Sequence, residues 1–142
     1  RMPAGTGIRH AEFNASDTEP VHFLQLWIEP ERTGLVPGYE QKHVPEARRQ
    51  GRLALLASRE GRDGSVSIHR DVDLWAGLFT GAESADLELR AGRNAWIQVA
   101  RGRLRTNGTA LEAGDGLAVT GPGVLTLDGG EDAEVLVFDL AP

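Results

Sequence analysis

Residues that tolerate a left-handed or tightly turned backbone punctuate this chain at short intervals, and the runs between them alternate apolar with polar. A helix needs apolar positions at i, i+3 and i+4, a pattern that no window longer than about two turns sustains here. Alternation with period two turns one face of an extended segment to a core and the other to solvent, so the sequence predicts an all-β fold. Strands are expected at 21–28, 53–58, 65–70, 73–79, 85–90, 95–101, 103–106, 116–120, 124–128 and 134–140. Turn signals about 8 to 12 residues apart suit a sandwich or barrel. Arg62-Asp63-Gly64, Asn107-Gly108, Gly114-Asp115-Gly116 and Asp128-Gly129-Gly130 each offer positions that accept positive φ and are expected to reverse the chain. A short helix is expected at 45–50, with Pro45 near its first turn. No internal repeat or low-complexity segment is visible.

The 142 residues are enough for one core, or for one domain with a fragment of a second. The chain contains no cysteine, which excludes a disulfide framework, thiolate metal sites and Cys-nucleophile mechanisms. Net charge is -6, and the 15 basic residues, all arginine except Lys42, are scattered. Phosphate neutralisation needs a concentrated positive face, so no nucleic-acid partner is expected. No apolar run approaches the roughly 20 residues that span a bilayer, and no secretory signal opens the chain, so no membrane partner and a cytoplasmic location are expected. The first residue is Arg1 and not Met, which carries the expectation that upstream sequence has been removed or is not included.

Metal chemistry would have to use His and carboxylates. His10 and Glu12, in GIRHAEFN, stand two apart, so an extended backbone points both side chains to one side. Imidazole plus carboxylate suits iron, manganese, nickel or zinc, with Fe(II) and Mn(II) favoured where coordination positions stay open. Taken alone, an H-x-E triplet is more often an ordinary surface pair. His22 alternates with Leu24, Leu26 and Ile28 and is expected to pack at a barrel end or interface, and His43 lies in a polar segment. Ser67, His69 and Asp71 do not read as a hydrolase triad, because on a flat strand their side chains stand about 6 to 7 Å apart. Trp27, Trp75, Phe79, Trp96 and Phe138 fall on predicted strands and are expected in the core. Tyr39 and Gln41 fit either linker packing or a loop over a barrel mouth.

The opening RMPAGTGIRHAEFN, then EPVHFLQLWIEP, then Pro37-Gly38-Tyr39-Glu40-Gln41, resembles the pirin family in order and spacing. In that family a stretch M-x-A-G-x-G-I-x-H-S-E closes the metal site of the N-terminal cupin barrel, and Ala11 stands here where Ser is usual. LLAS, the Asp63-Gly64-Ser65 turn, AWIQVARGRLRTNG, LEAGDG and VFDL resemble the family's C-terminal cupin domain, so the likeness covers nearly the whole chain.

The resemblance implies a cupin-type jelly-roll β-barrel, the second barrel of a bicupin, with residual strands of the first. Residues 1–28 would be the remnant of the N-terminal barrel, 29–45 the linker and 46–142 the C-terminal barrel. Pirin-type sites hold iron with three His and one Glu; His10 and Glu12 match the last His and the Glu. The other two ligands form an upstream H-x-H pair, and this chain contains no H-x-H. Fe(II) or another divalent transition metal is therefore expected in the full-length parent, and weak or no metal binding in this chain by itself. Aligning Gly92 with the first glycine of G-x5-H-x-H puts Gln98 and Ala100 at the histidine positions, so the second barrel is expected to lack a metal.

The implied activity of the parent is that of a quercetin 2,3-dioxygenase-type oxidoreductase acting on a flavonol-like small molecule, with Glu12 both ligand and catalytic base. A different implied role is that of a metal-dependent, redox-sensing module that binds protein partners such as transcription factors. A third reading takes the chain as a truncated product without function of its own. Its apolar N-terminal strands would then have unpaired edges, which predispose to a homodimer or to packing on the second barrel.

Overall fold

Two strands are long enough to be shared by four of the others. β5 (Asn94–Thr106) and β8 (Gly123–Leu140) pair antiparallel from Asn94↔Leu140 to Thr106↔Leu127. The far edge of β8 takes β3 (Val72–Phe79) along residues 133–140 and β4 (Ala85–Leu89) along 123–127. The far edge of β5 is divided the same way, between β7 (Gly116–Thr120) at residues 94–98 and β6 (Thr109–Glu112) at 103–106. β1 (Leu53–Ser58) extends the sheet beyond β3, and β2 (Val66–Ser67) pairs with β1 in parallel. The computed structural model describes residues 1–142, and no helix in it is long and apolar enough to cross a membrane.

Alternation sorts the faces. Ala95, Ile97 and Val99 of β5 meet Val135 and Val137 of β8, and the bend of both strands folds Leu104, Leu125 and Leu127 into the same cluster with Phe79 and Leu89. The opposite face of β3 and β8 carries Leu74, Ala76 and Leu136, packed with Phe138 and with Ala57 of β1. Burying a large aliphatic or aromatic side chain contributes roughly 1.5 to 3 kcal/mol, so the first cluster dominates stability.

One end of the inward face is ionic. Asp73 and Asp139 are cross-strand neighbours at 6% and 5% exposure. Arg62 binds Asp73 with both guanidinium nitrogens, at 2.5 and 2.7 Å. Arg93 donates from Nε to Asp139 at 2.7 Å and from the other side of its fork to Asp71 at 2.9 Å. Burial pulls the Arg93 guanidinium down, and the two carboxylates outweigh it and hold it above its ordinary value. Hydrogen bonding to Asp73 raises Arg62 likewise.

The elements depart from the sequence expectation in ways that share a cause. The predicted strands 95–101 and 103–106 are one strand, because Gly102 (φ 64) takes a bulge and does not end it. The predicted 124–128 and 134–140 also join: Gly129 (φ 60) and Asp132 (φ 46) bend β8 without reversing it. At Asn107-Gly108 the φ values of 48° and 79° do reverse the chain and create β6, which was not expected. His69 (φ 50) cuts the predicted 65–70 strand to two residues. The helix expected at 45–50 is a single 3₁₀ turn, Glu46–Arg48, after Pro45. No strand forms at 21–28 or anywhere before Leu53. A strand persists only where a neighbour completes its ladder, and no other part of residues 1–45 supplies one.

At the bend, backbones approach too closely for a side chain. A Cβ on Gly130 would stand 2.5 Å from the Phe79 carbonyl oxygen, and one on Gly38 would meet nothing nearer than 3.9 Å. Gly130→Ala is therefore expected to destabilise the fold by about 2 kcal/mol or more and Gly38→Ala by only a few tenths, read as the shift in urea midpoint at unchanged slope. Equal midpoints for the two variants would show that the bend relaxes freely.

Candidate functional site

Residues 1–45 have no regular structure and are mostly exposed, touching the barrel at a few points, and the sequence-predicted donors sit in this segment. The His10 Nε2 and Glu12 Oε1 atoms are 3.9 Å apart on a partly exposed surface. Just beyond them the chain reverses: Asn14 Nδ2 donates to the Glu19 carbonyl, and the Ser16 hydroxyl accepts from the amides of Thr18 and Glu19. These side-chain bonds replace the missing backbone ladder.

As a transition-metal site, the pair fits in kind and falls short in number. One imidazole nitrogen and one carboxylate oxygen this close can bind a single ion, since each contributes a bond of about 2.0 to 2.2 Å. No group of three or more His, Cys, Asp or Glu side chains assembles anywhere in the structure. Two protein donors do not hold such an ion tightly against water.

The barrel interior adds no free donor: Asp73 and Asp139 are committed to Arg62 and Arg93. Gln98, aligned above with a cupin histidine, points away from the core, and the inward positions beside it are Ile97 and Val99, at 0% and 1% exposure. Gln98 is occupied with structure: its Nε2 donates to the carbonyls of Gly114 and Asp115 at 3.2 and 3.0 Å, and its Oε1 accepts from Trp96 Nε1 at 3.4 Å.

An open cleft of about 330 Å³ lies on this outward face. Leu26, Trp27 and Ile28 form one wall, and Trp96, Phe138 and Arg70 contribute to the other. Neither His10 nor Glu12 lines it. Of the aromatic residues expected in the core, Phe79 is buried and Trp75 packs against the main cluster. Trp27 and Trp96 are instead exposed, at 86% and 40%. Parity along β5 held the signal for this cleft: with Ile97 and Val99 turned inward, Trp96 and Gln98 must face the other way.

Polar contacts hold the segment to the barrel. Glu40 accepts from Arg1 and Lys42, both at 2.9 Å, and from the Ser67 amide at 3.1 Å. Lys42 Nζ also donates to the Ser65 carbonyl at 2.6 Å. Glu31 bonds the His69 carbonyl through its amide and Arg59 through its carboxylate. His22, expected at a barrel end, is exposed and accepts at Nδ1 from Arg101 at 3.0 Å. His43 makes no ion pair or side-chain hydrogen bond. Tyr39 and Gln41 bond each other and lie outside the cleft.

A strand-rich barrel built on two shared, bent strands and preceded by an imidazole–carboxylate pair is a cupin-class protein. Residues 55–140 match the family described as the quercetinase C-terminal cupin domain. The chain belongs to the pirin family. Over 141 residues it is 40% identical to quercetin 2,3-dioxygenase of Escherichia coli (strain K12), covering 99% of this chain and 60% of that protein. It is 33% identical to the pirin-like protein of Caulobacter vibrioides, with the same coverage of each. The solved structure of bacterial pirin YhhW from Escherichia coli in complex with nickel(II) superposes with a TM-score of 0.72 at 35% identity, covering 80% of this chain and 48% of that one. The chain thus spans about 60% of the length of the curated relatives it matches.

The Glu40 contacts give residues 1–45 a pH dependence. Hydrogen bonds from Lys42, the Ser67 amide and Arg1 lower the Glu40 carboxyl from 4.5 to about 2. A carboxyl depressed by folding stabilises fully above its free value and loses that contribution as pH falls through its folded value. The Glu40 anchor is therefore intact above pH 4.5 and released towards pH 2. An NMR titration of the Glu40 side chain is expected to show a midpoint near the lower figure, moving upward in Lys42→Ala. A midpoint at the free value in the unaltered protein would mean that the anchor does not form.

Proposed function

We propose that the protein is the C-terminal part of a pirin-type bicupin, and that the complete protein is a metal-dependent oxidoreductase of the quercetin 2,3-dioxygenase type. The observation that carries the reading is 40% identity, along 99% of this chain, to a protein named for that activity. Residues 1–28 then belong to the end of the first barrel, 29–45 to the linker and 46–142 to the second barrel. His10 and Glu12 are two of the ligands, and an H-x-H pair outside these residues supplies the others.

The bound metal, Fe(II) or another divalent transition ion, supplies a Lewis acid for a flavonol hydroxyl and a means of engaging oxygen. The chain's own residues orient the substrate and move its proton. Glu12 has one carboxylate oxygen beside His10 and is 56% exposed at its side chain, so it is open to a ligand and can accept a hydroxyl proton. The second barrel serves as a scaffold: its core is aliphatic, and it holds residues 1–45 in place through Arg101, Ser65 and Ser67. On its own, the 142-residue chain binds metal weakly and does not turn over flavonol.

Metal content tests this without an activity assay. The 142-residue chain and a chain extended N-terminally to the length of the relatives are loaded with Fe(II) or Mn(II) under anaerobic conditions and analysed by mass spectrometry. The longer chain is expected to retain about one ion and His10→Ala to release it, with the shorter chain retaining little. Equal retention by the short chain would overturn the half-site assignment. A fully metallated long chain that consumes no oxygen with any of a panel of flavonols would overturn the enzymatic one.

A further inference from the structure

We propose that Glu40 is a positioning residue for the metal pair, the side chain through which the second barrel fixes where His10 and Glu12 stand; the inference rests on the half-site assignment above. Every hydrogen bond that residues 1–12 make outside their own segment goes to Glu40. The Arg1 backbone nitrogen donates to the Glu40 carbonyl at 2.6 Å, and the Glu40 amide donates back to the Arg1 carbonyl at 3.0 Å. The Arg1 guanidinium adds a bond of 2.9 Å to the Glu40 Oε2 atom, and the Ser67 amide of β2 donates to that same oxygen at 3.1 Å. The Glu40 Oε1 atom pairs with Lys42, whose ammonium also donates to the Ser65 carbonyl. One carboxylate thus joins the segment that carries the ligands, the linker and the second barrel.

No other group can take its place. Arg1 has no second carboxylate, since its only ion pair is with Glu40, and its Nε is buried without a hydrogen-bond partner. Removing the charge at Glu40 strands a half-buried guanidinium, which costs more than the loss of an exposed pair. Four residues further on, Gly5 crosses Leu35, the only buried residue among the first 45. The approach is so close that a Cβ on Gly5 would stand 1.8 Å from the Leu35 carbonyl oxygen. The Gly7 amide then closes a turn on the Ala4 carbonyl, and only Ile8 and Arg9 separate that turn from His10. The path from Glu40 to the ligands is therefore short and pinned at Arg1 and at Gly5. Contacts that orient metal ligands without touching the ion commonly change its affinity by tenfold or more.

The test uses the chain extended N-terminally to the length of the relatives, with Mn(II) alone as probe and its dissociation constant read from the electron paramagnetic resonance of the free ion. Glu40→Gln keeps the size of the side chain and removes its charge, and is expected to weaken Mn(II) binding about tenfold. Arg1→Ala reports the same link without altering the linker or the second barrel. It is expected to weaken binding as much, and the double variant no further, because both changes break one connection. Arg59→Ala breaks the separate tie to Glu31 and is expected to leave the Mn(II) affinity unchanged. If Glu40 serves only the fold, the urea midpoint of the metal-free protein falls while the folded protein binds Mn(II) as before, and the proposal is overturned. Additive losses from Glu40→Gln and Arg1→Ala overturn it as well. An unaltered long chain that retains no Mn(II) overturns the half-site assignment and this inference with it. One that retains Mn(II), releases it in His10→Ala and is indifferent to Glu40→Gln overturns this inference alone.

Discussion

The barrel exists because two backbones can bend together where side chains would keep them apart. β5 and β8 run side by side through several register shifts, and at those shifts Gly102 faces the carbonyls of Glu131 and Asp132 while Gly130 faces that of Phe79. Without this close passage, the halves of β8 that pair with β4 and with β3 could not turn toward each other. Leu104, Leu125 and Leu127 would then lose Ile97, Val99 and Val137 as packing partners. Everything outward depends on that closure, including the aromatic cleft and the contacts that hold residues 1–45.

What fills the interior also determines what it can do. Its centre is aliphatic and its end is closed by Arg62, Asp73, Asp139 and Arg93, each charge matched by another. Acidic side chains committed to guanidinium partners are poor metal donors, and the inward residues of β5 are Ile97 and Val99. Imidazole and carboxylate meet only outside the barrel, at His10 and Glu12. The ion pairs contribute less to stability than their number suggests, since removing a charge from water offsets much of the attraction, but loss of one partner would strand the other.

Much of the barrel is legible in the sequence where alternation is closed at both ends by turn residues, as at β1, β4 and β7. Continuity across Gly102 and Gly129 is not, because positive φ serves a bulge as well as a reversal and only the neighbouring strand decides between them. At Asn107-Gly108 two consecutive residues take positive φ, and the chain does turn. Residues 21–28 carry a strand pattern without a strand, since composition describes a preference and a ladder needs a second chain segment. His10 and Glu12 stand out by spacing, but only resemblance raised them above a chance triplet. The cleft could not be read directly, because it joins Trp27, Arg70 and Trp96 from three distant segments, and Trp96 was expected in the core although the alternation of β5 turns it outward.

β8, with which β3, β4 and β5 all pair, follows the other seven strands in the sequence and so is the last of the eight to be synthesised. The N-terminal regions of a chain usually begin to organise during synthesis, but here β3, β4 and β5 each keep an open edge until β8 is made, even where β1, β6 and β7 have already paired. Closure is consequently a late event governed by contacts distant in sequence, which makes folding slow compared with a protein of local contacts. Before β8 pairs, the apolar segment at 21–28 and the strands of the barrel are exposed together, so a nascent-chain chaperone has most to protect in that interval.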